Sequence, residues 1–214
     1  MKHVGINTVA EHKLAIAASG SSISLETLQR LCHDNSINKR DKITTGLSVS
    51  MIGRRVIVIL GSETDSTFAS SVRTFLDRFG VDCEFRIASA HKDPERLIQI
   101  LKNYENPDER IVFITVAGRS NALSGFVDFQ TRHPVIACPP QSEDFWRVDV
   151  YSSLRMPKGV APLMVCDPEN AALAALKILG EGEPSLAAKV KEYQRELQLK
   201  NEKADSKIRQ SSGG

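Results

Sequence analysis

The chain has 214 residues, and its 28 Lys and Arg against 26 Asp and Glu give a formal net charge of +2. A charge this close to balance excludes proteins whose main partner is nucleic acid or an acidic membrane, because those need a clustered excess of cations. Hydrophobic residues make up 41% of the chain, enough for a domain that folds without disulfide staples. The apolar run 56–60 is far shorter than the ~20 residues of a membrane helix, and no signal-peptide core is evident near the N-terminus. We therefore expect a cytoplasmic protein.

The sequence pattern divides the chain into three parts. Residues 1–52 are polar and mixed apart from a helical pattern that opens at Ser24, so we expect an appendage that is partly helical or disordered. Residues 53–183 alternate between strand-like and helix-like runs, which predicts an α/β domain. Residues 184–214 predict a charged helix whose end frays from Ser206 onward.

Five strand-like runs alternate with helical patterns in the central part. The strands are predicted at 56–60, 83–87, 111–116, 135–138 and 162–166. The first is a continuous apolar run, typical of a strand that is covered on both faces. Apolar stripes predict one helix that ends before Gly80, a second that begins at Asp93 and Pro94, and a third over 170–179. Connections of this length imply a mostly parallel sheet, so the predicted fold is α/β and doubly wound, a flavodoxin-like three-layer sandwich.

An apolar stripe runs along the C-terminal helix. Leu186, Val190, Tyr193 and Leu197 recur at heptad-like spacing on an otherwise charged segment. A small domain does not necessarily cover such a stripe by itself, which favours a helix that packs on a neighbouring subunit. A helix folded back on its own domain fits the pattern equally well.

Three loops at the ends of predicted strands carry unusual residues. They span residues 61–65, 88–93 and 117–125. Ligands of open parallel sheets bind at the carboxyl ends of the strands. The first two loops also lead into helices whose N-terminal amides attract anions. The sequence therefore predicts one ligand site at this edge of the sheet.

The first loop, Gly61-Ser-Glu-Thr-Asp65, suits a sugar phosphate. Its glycine allows close approach of backbone to a ligand, its hydroxyls and amides suit a phosphate, and Asp65 suits the hydroxyls of a ribose. A Gly-Ser turn with Asp as a helix cap also occurs in many α/β proteins without this role. The loop has neither the G-x-G-x-x-G fingerprint nor the P-loop pattern.

The second loop, Ser89-Ala-His-Lys-Asp-Pro94, places a titratable imidazole beside a possible anion site. Neutral His91 would act as a general base near pH 7, and Lys92 adds a cation directly before a helix. A plain surface histidine is the other interpretation of this segment.

Two other site chemistries fit less well. Gly118-Arg-Ser-Asn-Ala122 approaches the nucleophile elbow of hydrolases, with Ser120 as the nucleophile. That triad needs an acid and then a His further along, and only His133 follows, which disfavours it. The cysteines lack both C-x-x-C pairs and zinc-site spacing, so no metal site is predicted.

Several short segments between about residues 55 and 180 occur together in a fixed order. They are Gly61-Ser-x-x-Asp65, Ser89-Ala-His91, Ala117-Gly-Arg-Ser-Asn121, His133-Pro-Val135, Cys138-Pro-Pro140, Ser152-Ser-Leu-Arg-x-Pro157 and Asn170-Ala171. In this combination they resemble the phosphoribosylaminoimidazole carboxylase family of purine biosynthesis.

The family that the segments resemble has two branches. The mutase branch isomerises N-carboxyaminoimidazole ribonucleotide and typically has Ser-Ala-His-Arg-Thr-Pro, with a second His in a third loop rich in Gly and Ala. This chain has Lys92 in place of that Arg, and Arg119-Ser-Asn121 without a His in the third loop. It is therefore similar to the branch that uses carbon dioxide directly, which also forms a domain of the animal bifunctional enzyme. It departs from that branch at Asp93, usually Gly, and at Ala122-Leu-Ser-Gly125, usually Gly-Leu-Gly-Pro.

The resemblance implies that the chain carboxylates aminoimidazole ribonucleotide with carbon dioxide and needs no cofactor. It implies that Ser62, Ser89 and Lys92 contact the phosphate and that Asp65 contacts the ribose.

The resemblance also implies the residues around the reacting ring. By the resemblance, the backbone amides of Gly118, Arg119 and Ser120 would face the base and the new carboxylate, and His91 would remove the ring proton. General base catalysis of this kind contributes about 10²–10⁴-fold in rate.

Members of this family assemble as octamers with sites at subunit junctions, so the resemblance implies a homo-octamer. We expect a small-molecule substrate and no nucleic-acid or membrane partner. Two alternatives stay open: the mutase, and a nucleotide-binding module that has lost catalysis.

Overall fold

A computed structural model describes residues 53–105, 108–140 and 144–211 of the chain. The appendage expected over residues 1–52 lies outside the described residues. In chain order the elements are β1 (Gly53–Leu60), a 3₁₀ turn (Glu63–Asp65), α1 (Ser66–Asp77), β2 (Asp82–Ile87), α2 (Pro94–Lys102), β3 (Glu109–Val116), α3 (Ala122–Gln130), β4 (Val135–Ala137), a 3₁₀ segment (Asp144–Ser153), β5 (Leu163–Met164), α4 (Pro168–Gly180) and α5 (Pro184–Ser211).

Within the described ranges, five strands form one parallel sheet in the order β2-β1-β3-β4-β5. Val58 at the centre of β1 pairs with Phe85 on one side and Ile114 on the other. The strand order reverses between β1 and β3, which is the switch point where doubly wound sheets bind ligands. The predicted flavodoxin-like α/β fold is therefore confirmed. β4 and β5 are shorter than the predicted 135–138 and 162–166.

Strand β1 supplies side chains to both layers of the core. Val56, Val58 and Leu60 pack in the layer that holds α1, α4 and the start of α5. Ile57 and Ile59 point the other way, into the layer that holds α2 and α3. All five side chains are at most 2% exposed, and burying each large aliphatic chain contributes roughly 1.5–3 kcal/mol. The apolar run is thus explained by a strand that is covered on both faces.

Local signals set the ends of two helices as predicted. The Asp93 side chain accepts a hydrogen bond from the Arg96 N–H at 3.1 Å, and Pro94 occupies the first turn of α2. Gly80, with a φ of 69°, follows α1 and allows the chain to turn toward β2.

The first turns of α5 pack on the chain's own domain. Leu186 and Val190 are buried in the layer with α1 and α4. The Tyr193 ring lies edge-on to Phe75 and Phe79, with centroid distances of 5.3 and 5.8 Å. The helix therefore folds back on its own domain over this stretch.

The C-terminal half of α5 extends further than the sequence predicts. Leu197, the last residue of the stripe, is 42% exposed, and packing on a neighbouring subunit stays a prediction. The helix continues through Ser211, whereas fraying was predicted from Ser206 onward. Its hydroxyl groups bond within the helix, as when Ser206 donates to the Glu202 carbonyl at 2.9 Å. In the part of the chain that the structure describes, none of the helices has the length and apolar character needed to span a membrane.

Candidate functional site

The three predicted loops leave the same edge of the sheet next to one another. The Gly61 N–H donates to the Val116 carbonyl at 2.8 Å, which joins the first loop to the end of β3. The Ala88 N–H donates to the Leu60 carbonyl at 2.9 Å, which joins the second loop to the end of β1. A Cβ at Gly61 would lie 3.1 Å from the Cβ of Ala117. Glycine at this position therefore allows the first and third loops to meet at the switch point.

Hydrogen bonds within the first loop close a tight turn. The Asp65 carboxylate accepts from both the N–H and the hydroxyl of Ser62, each at 3.0 Å. The Ser62 and Thr64 hydroxyls are 2.6 Å apart and hydrogen-bonded. The Asp65 carboxylate would repel an anion bound at this turn, so a cation is needed to offset its charge. The second loop carries an exposed lysine, Lys92, that can supply it.

The second loop presents its histidine to solvent. The Ser89 hydroxyl accepts from the Lys92 N–H at 3.3 Å, and the Ser89 carbonyl accepts from the Asp93 N–H at 3.0 Å. His91 lies inside this turn, just before α2, and its side chain is exposed, as is that of Lys92. The turn therefore holds an imidazole and an ammonium group where a ligand can reach both.

The third loop contains a residue in an unusual backbone conformation. Among the described residues, Arg119 is the only non-glycine with a positive φ, at 57°. Its N–H donates to the Asp149 carboxylate at 3.1 Å. The Ser152 hydroxyl donates to the Arg119 carbonyl at 3.2 Å and accepts from the Asn121 N–H at 3.1 Å. The 3₁₀ segment after β4 thus holds the loop on both sides of Arg119.

Helix α3 begins inside the loop predicted over 117–125. Asn121 caps it by accepting from the Ser124 N–H at 3.2 Å, while its amide group donates to the Ser153 hydroxyl at 2.8 Å. The loop proper is therefore residues 117–121, the third loop from here on. Gly118 lies against the chain that follows β4, since a Cβ there would be 3.5 Å from Pro140.

Sequence reasoning missed the residues that hold the third loop. Ser152 and Ser153 belong to one of the segments that resemble the family, but the sequence assigned them no role. Nothing in the sequence singles out Asp149. The Asp149 contact joins residues 30 apart in sequence, and a carboxylate in a polar stretch does not indicate its distant partner.

The hydrolase interpretation is contradicted by the position of His133. This residue precedes β4, whereas Ser120 follows β3, and in a parallel pair these positions lie at opposite edges of the sheet. The His133 Nε2 atom is 3.2 Å from the Tyr104 carbonyl oxygen, and the ring packs on Phe113. Burial lowers the pKa of His133, an effect that the Tyr104 hydrogen bond partly offsets.

Metal and thiol chemistry would each need a particular side-chain arrangement in the described ranges. No group of three or more His, Cys, Asp or Glu side chains among those residues is arranged to hold a metal ion. Burial raises the pKa of the Cys138 thiol to about 12 and that of Cys83 to about 11. Both thiols are therefore protonated near neutral pH and poorly nucleophilic.

Comparison with known proteins identifies the family. Residues 55–200 match the family model described as AIR carboxylase. The chain belongs to the AIR carboxylase family. This confirms the family resemblance of the sequence segments and the enzyme class.

Individual relatives agree with the family match. A phosphoribosylaminoimidazole carboxylase from Archaeoglobus fulgidus is 47% identical over 157 residues, which cover 73% of this chain and 86% of the relative. The crystal structure of Treponema denticola PurE has a TM-score of 0.71 and 44% identity, and the match covers 72% of this chain and 98% of that one. The rat bifunctional phosphoribosylaminoimidazole carboxylase/phosphoribosylaminoimidazole succinocarboxamide synthetase is 36% identical over 156 residues, covering 73% of this chain and 37% of the rat protein.

Proposed function

We propose that the chain carboxylates aminoimidazole ribonucleotide with carbon dioxide, producing carboxyaminoimidazole ribonucleotide in purine biosynthesis. The observation that carries this proposal is the meeting of the three loops at the switch point of a sheet of this family. Two of the relatives described above are named for this carboxylase activity.

The first and second loops bind the sugar phosphate in this proposal. On binding, the Ser62 hydroxyl exchanges its Asp65 partner for a phosphate oxygen, and the Ser89 hydroxyl donates to another. Lys92 supplies positive charge that offsets the Asp65 carboxylate. Asp65 accepts hydrogen bonds from ribose hydroxyls. Gly61 carries no side chain, so the first loop can lie close to Ala117 of the third loop.

The reaction forms one carbon–carbon bond and moves one proton. An electron-rich ring carbon of the substrate attacks the carbon of carbon dioxide, which becomes a carboxylate. The proton on the attacked carbon then passes to His91, the ring regains its aromatic electrons, and His91 leaves the step as imidazolium. The exposed imidazole of the second loop is the titratable base that this transfer needs.

The third loop stabilises the charge that develops on the carboxyl oxygens. Carbon dioxide is neutral and the product group is an anion, so donors at this position favour the transition state over the bound reactants. The Arg119 N–H is bonded to Asp149, so we assign this role to the amides of Gly118 and Ser120 and to the Arg119 guanidinium.

An assay without ATP tests the carbon donor. We expect purified protein to form the carboxylated product from aminoimidazole ribonucleotide and dissolved carbon dioxide. With bicarbonate as the only added carbon source, we expect a lag in product formation, because bicarbonate must first convert to carbon dioxide. Carbonic anhydrase should remove this lag. Lys92, and a third loop without a His, favour this donor by resemblance.

Two results would contradict the proposal. Conversion of N-carboxyaminoimidazole ribonucleotide, with no product from carbon dioxide, would show a mutase. Nucleotide binding with no turnover from either donor would show a silent binding module.

We also propose that the chain works in the cytoplasm as a homo-octamer with sites at subunit junctions. The family resemblance supports the assembly, and Leu197 and Leu199 on α5 are more than two-fifths exposed in the single chain. Sedimentation velocity is expected to give eight times the mass of one chain, and a monomer at assay concentrations would contradict the octamer.

A further inference from the structure

The 3₁₀ segment Asp144–Ser153 controls the backbone of the third loop. Three hydrogen bonds join its Asp149 and Ser152 side chains to the backbone of Arg119 and Asn121, which flank the exposed Ser120. None of these bonds is needed to build the sheet, which ends at Val116 on β3.

We propose that Asp149 and Ser152 are positioning residues for the carboxylation step, which hold Arg119 in its left-handed conformation. This inference rests on the function proposed above. The left-handed region is unfavourable for an L-residue, because its Cβ lies too close to the following carbonyl oxygen. Without its partners, Arg119 would relax to a negative φ, and the rotation would turn the amides of the third loop away from the carboxyl oxygens.

Loss of the Asp149 and Ser152 hydrogen bonds should lower kcat more than it weakens nucleotide binding. The phosphate and ribose contacts lie on the first and second loops, which these bonds do not touch. For Asp149→Ala we expect kcat to fall about 10- to 100-fold, the loss typical of a hydrogen bond to a charged group, with the nucleotide KM changed less than about threefold. Asp149→Asn retains an oxygen that accepts from the Arg119 N–H, so its kcat should stay within about threefold of the wild type.

Amide hydrogen exchange measures the positioning without catalysis. The Arg119 N–H is expected to exchange at least about tenfold faster in Asp149→Ala than in the wild type, and at nearly the wild-type rate in Asp149→Asn. Asp128→Ala is a matched control because Asp128 accepts from the Ala161 N–H at 2.8 Å, a bond of the same kind outside the third loop. That control should leave kcat and exchange at Arg119 unchanged.

The two readouts separate this inference from the proposed function. If the wild type shows no carboxylation, the proposed function fails, and exchange at Arg119 still decides whether Asp149 positions the loop. Unchanged exchange in Asp149→Ala, or a fall in kcat shared equally by Asp128→Ala, would overturn the inference. If Asp149→Ala does not fold, Ser152→Ala removes two of the bonds and is expected to show the same lower kcat and faster exchange.

Discussion

At the scale of single residues, His91 carries the proton transfer of the proposed mechanism. For His91→Asn we expect kcat to fall about 10²–10⁴-fold, since the amide cannot take the ring proton. The nucleotide dissociation constant should stay within about threefold, because the hydroxyl and ammonium contacts remain. Steady-state kinetics and calorimetric titration measure the two quantities. Gln99→Asn, an exposed change on α2, is the control, and a His91→Asn variant with near-normal turnover would remove the assigned base.

His133 makes a different prediction, about stability. Burial lowers its pKa in the folded chain below the ordinary 6.5. Between that lowered pKa and 6.5 the unfolded chain therefore binds more protons, and the free energy of unfolding falls as the pH falls. One such group contributes a slope of up to about 1.4 kcal/mol per pH unit, and above pH 6.5 the contribution disappears.

The His133→Gln variant tests that slope. Its side-chain amide still donates to the Tyr104 carbonyl but does not titrate. Urea unfolding at several pH values between 5 and 7 should give a shallower slope for the variant than for the wild type, with the amount above as the upper limit of the difference. Equal slopes would show that His133 does not titrate differently in the two states. The pKa of Glu84 is also lowered, but this carboxyl group changes the free energy of unfolding only at a more acidic pH.

At the scale of elements, the first and third loops approach closely at Gly61 and Ala117. Gly61→Ala places a methyl group 3.1 Å from the Ala117 Cβ, so one loop must shift by a few tenths of an ångström. We expect kcat/KM to fall about tenfold, because small displacements of reacting groups are costly.

The double variant Gly61→Ala with Ala117→Gly tests the cause of that loss. It removes the methyl group that the new Cβ meets, and activity should return to within about threefold of the Ala117→Gly single variant. A double variant as impaired as Gly61→Ala alone would show that another feature of Gly61 matters.

Helix α5 gives the second prediction at this scale. Tyr193 contacts the rings of Phe75 and Phe79 and the guanidinium of Arg78. Tyr193→Ala is expected to lower the free energy of unfolding by about 1–3 kcal/mol. Gln194→Ala, at an exposed side chain of the same helix, should change it by less than about 0.5 kcal/mol. Urea denaturation compares them, and equal values would show that α5 gains no stability from its own domain.

At the scale of the whole molecule, the sequence predicts the sheet better than its connections. The apolar run 56–60 marks a strand buried on both faces, and Asp93 with Pro94 marks the start of α2, because both signals are local. Gly61 follows β1, and Ser89 and His91 follow β2. They lie at the same edge of the sheet because the two strands are parallel.

The parts that sequence does not predict depend on distant contacts. A positive φ is expected of glycine, so nothing in the sequence marks Arg119 as left-handed. Its backbone is hydrogen-bonded to Asp149 and Ser152, which follow it by about 30 residues. Likewise, the apolar stripe of α5 does not indicate which residues it packs against. Its partners Phe75 and Phe79 lie in α1 and just after it, far away in the sequence.

The claim that the three loops form one nucleotide site is tested most directly by a crystal structure with bound aminoimidazole ribonucleotide. We expect the phosphate on Ser62, Ser89 and Lys92, the ribose at Asp65, and the imidazole of His91 within hydrogen-bonding reach of the reacting ring carbon. A nucleotide bound elsewhere, or a ring distant from every His91 imidazole in the assembly, would contradict the account.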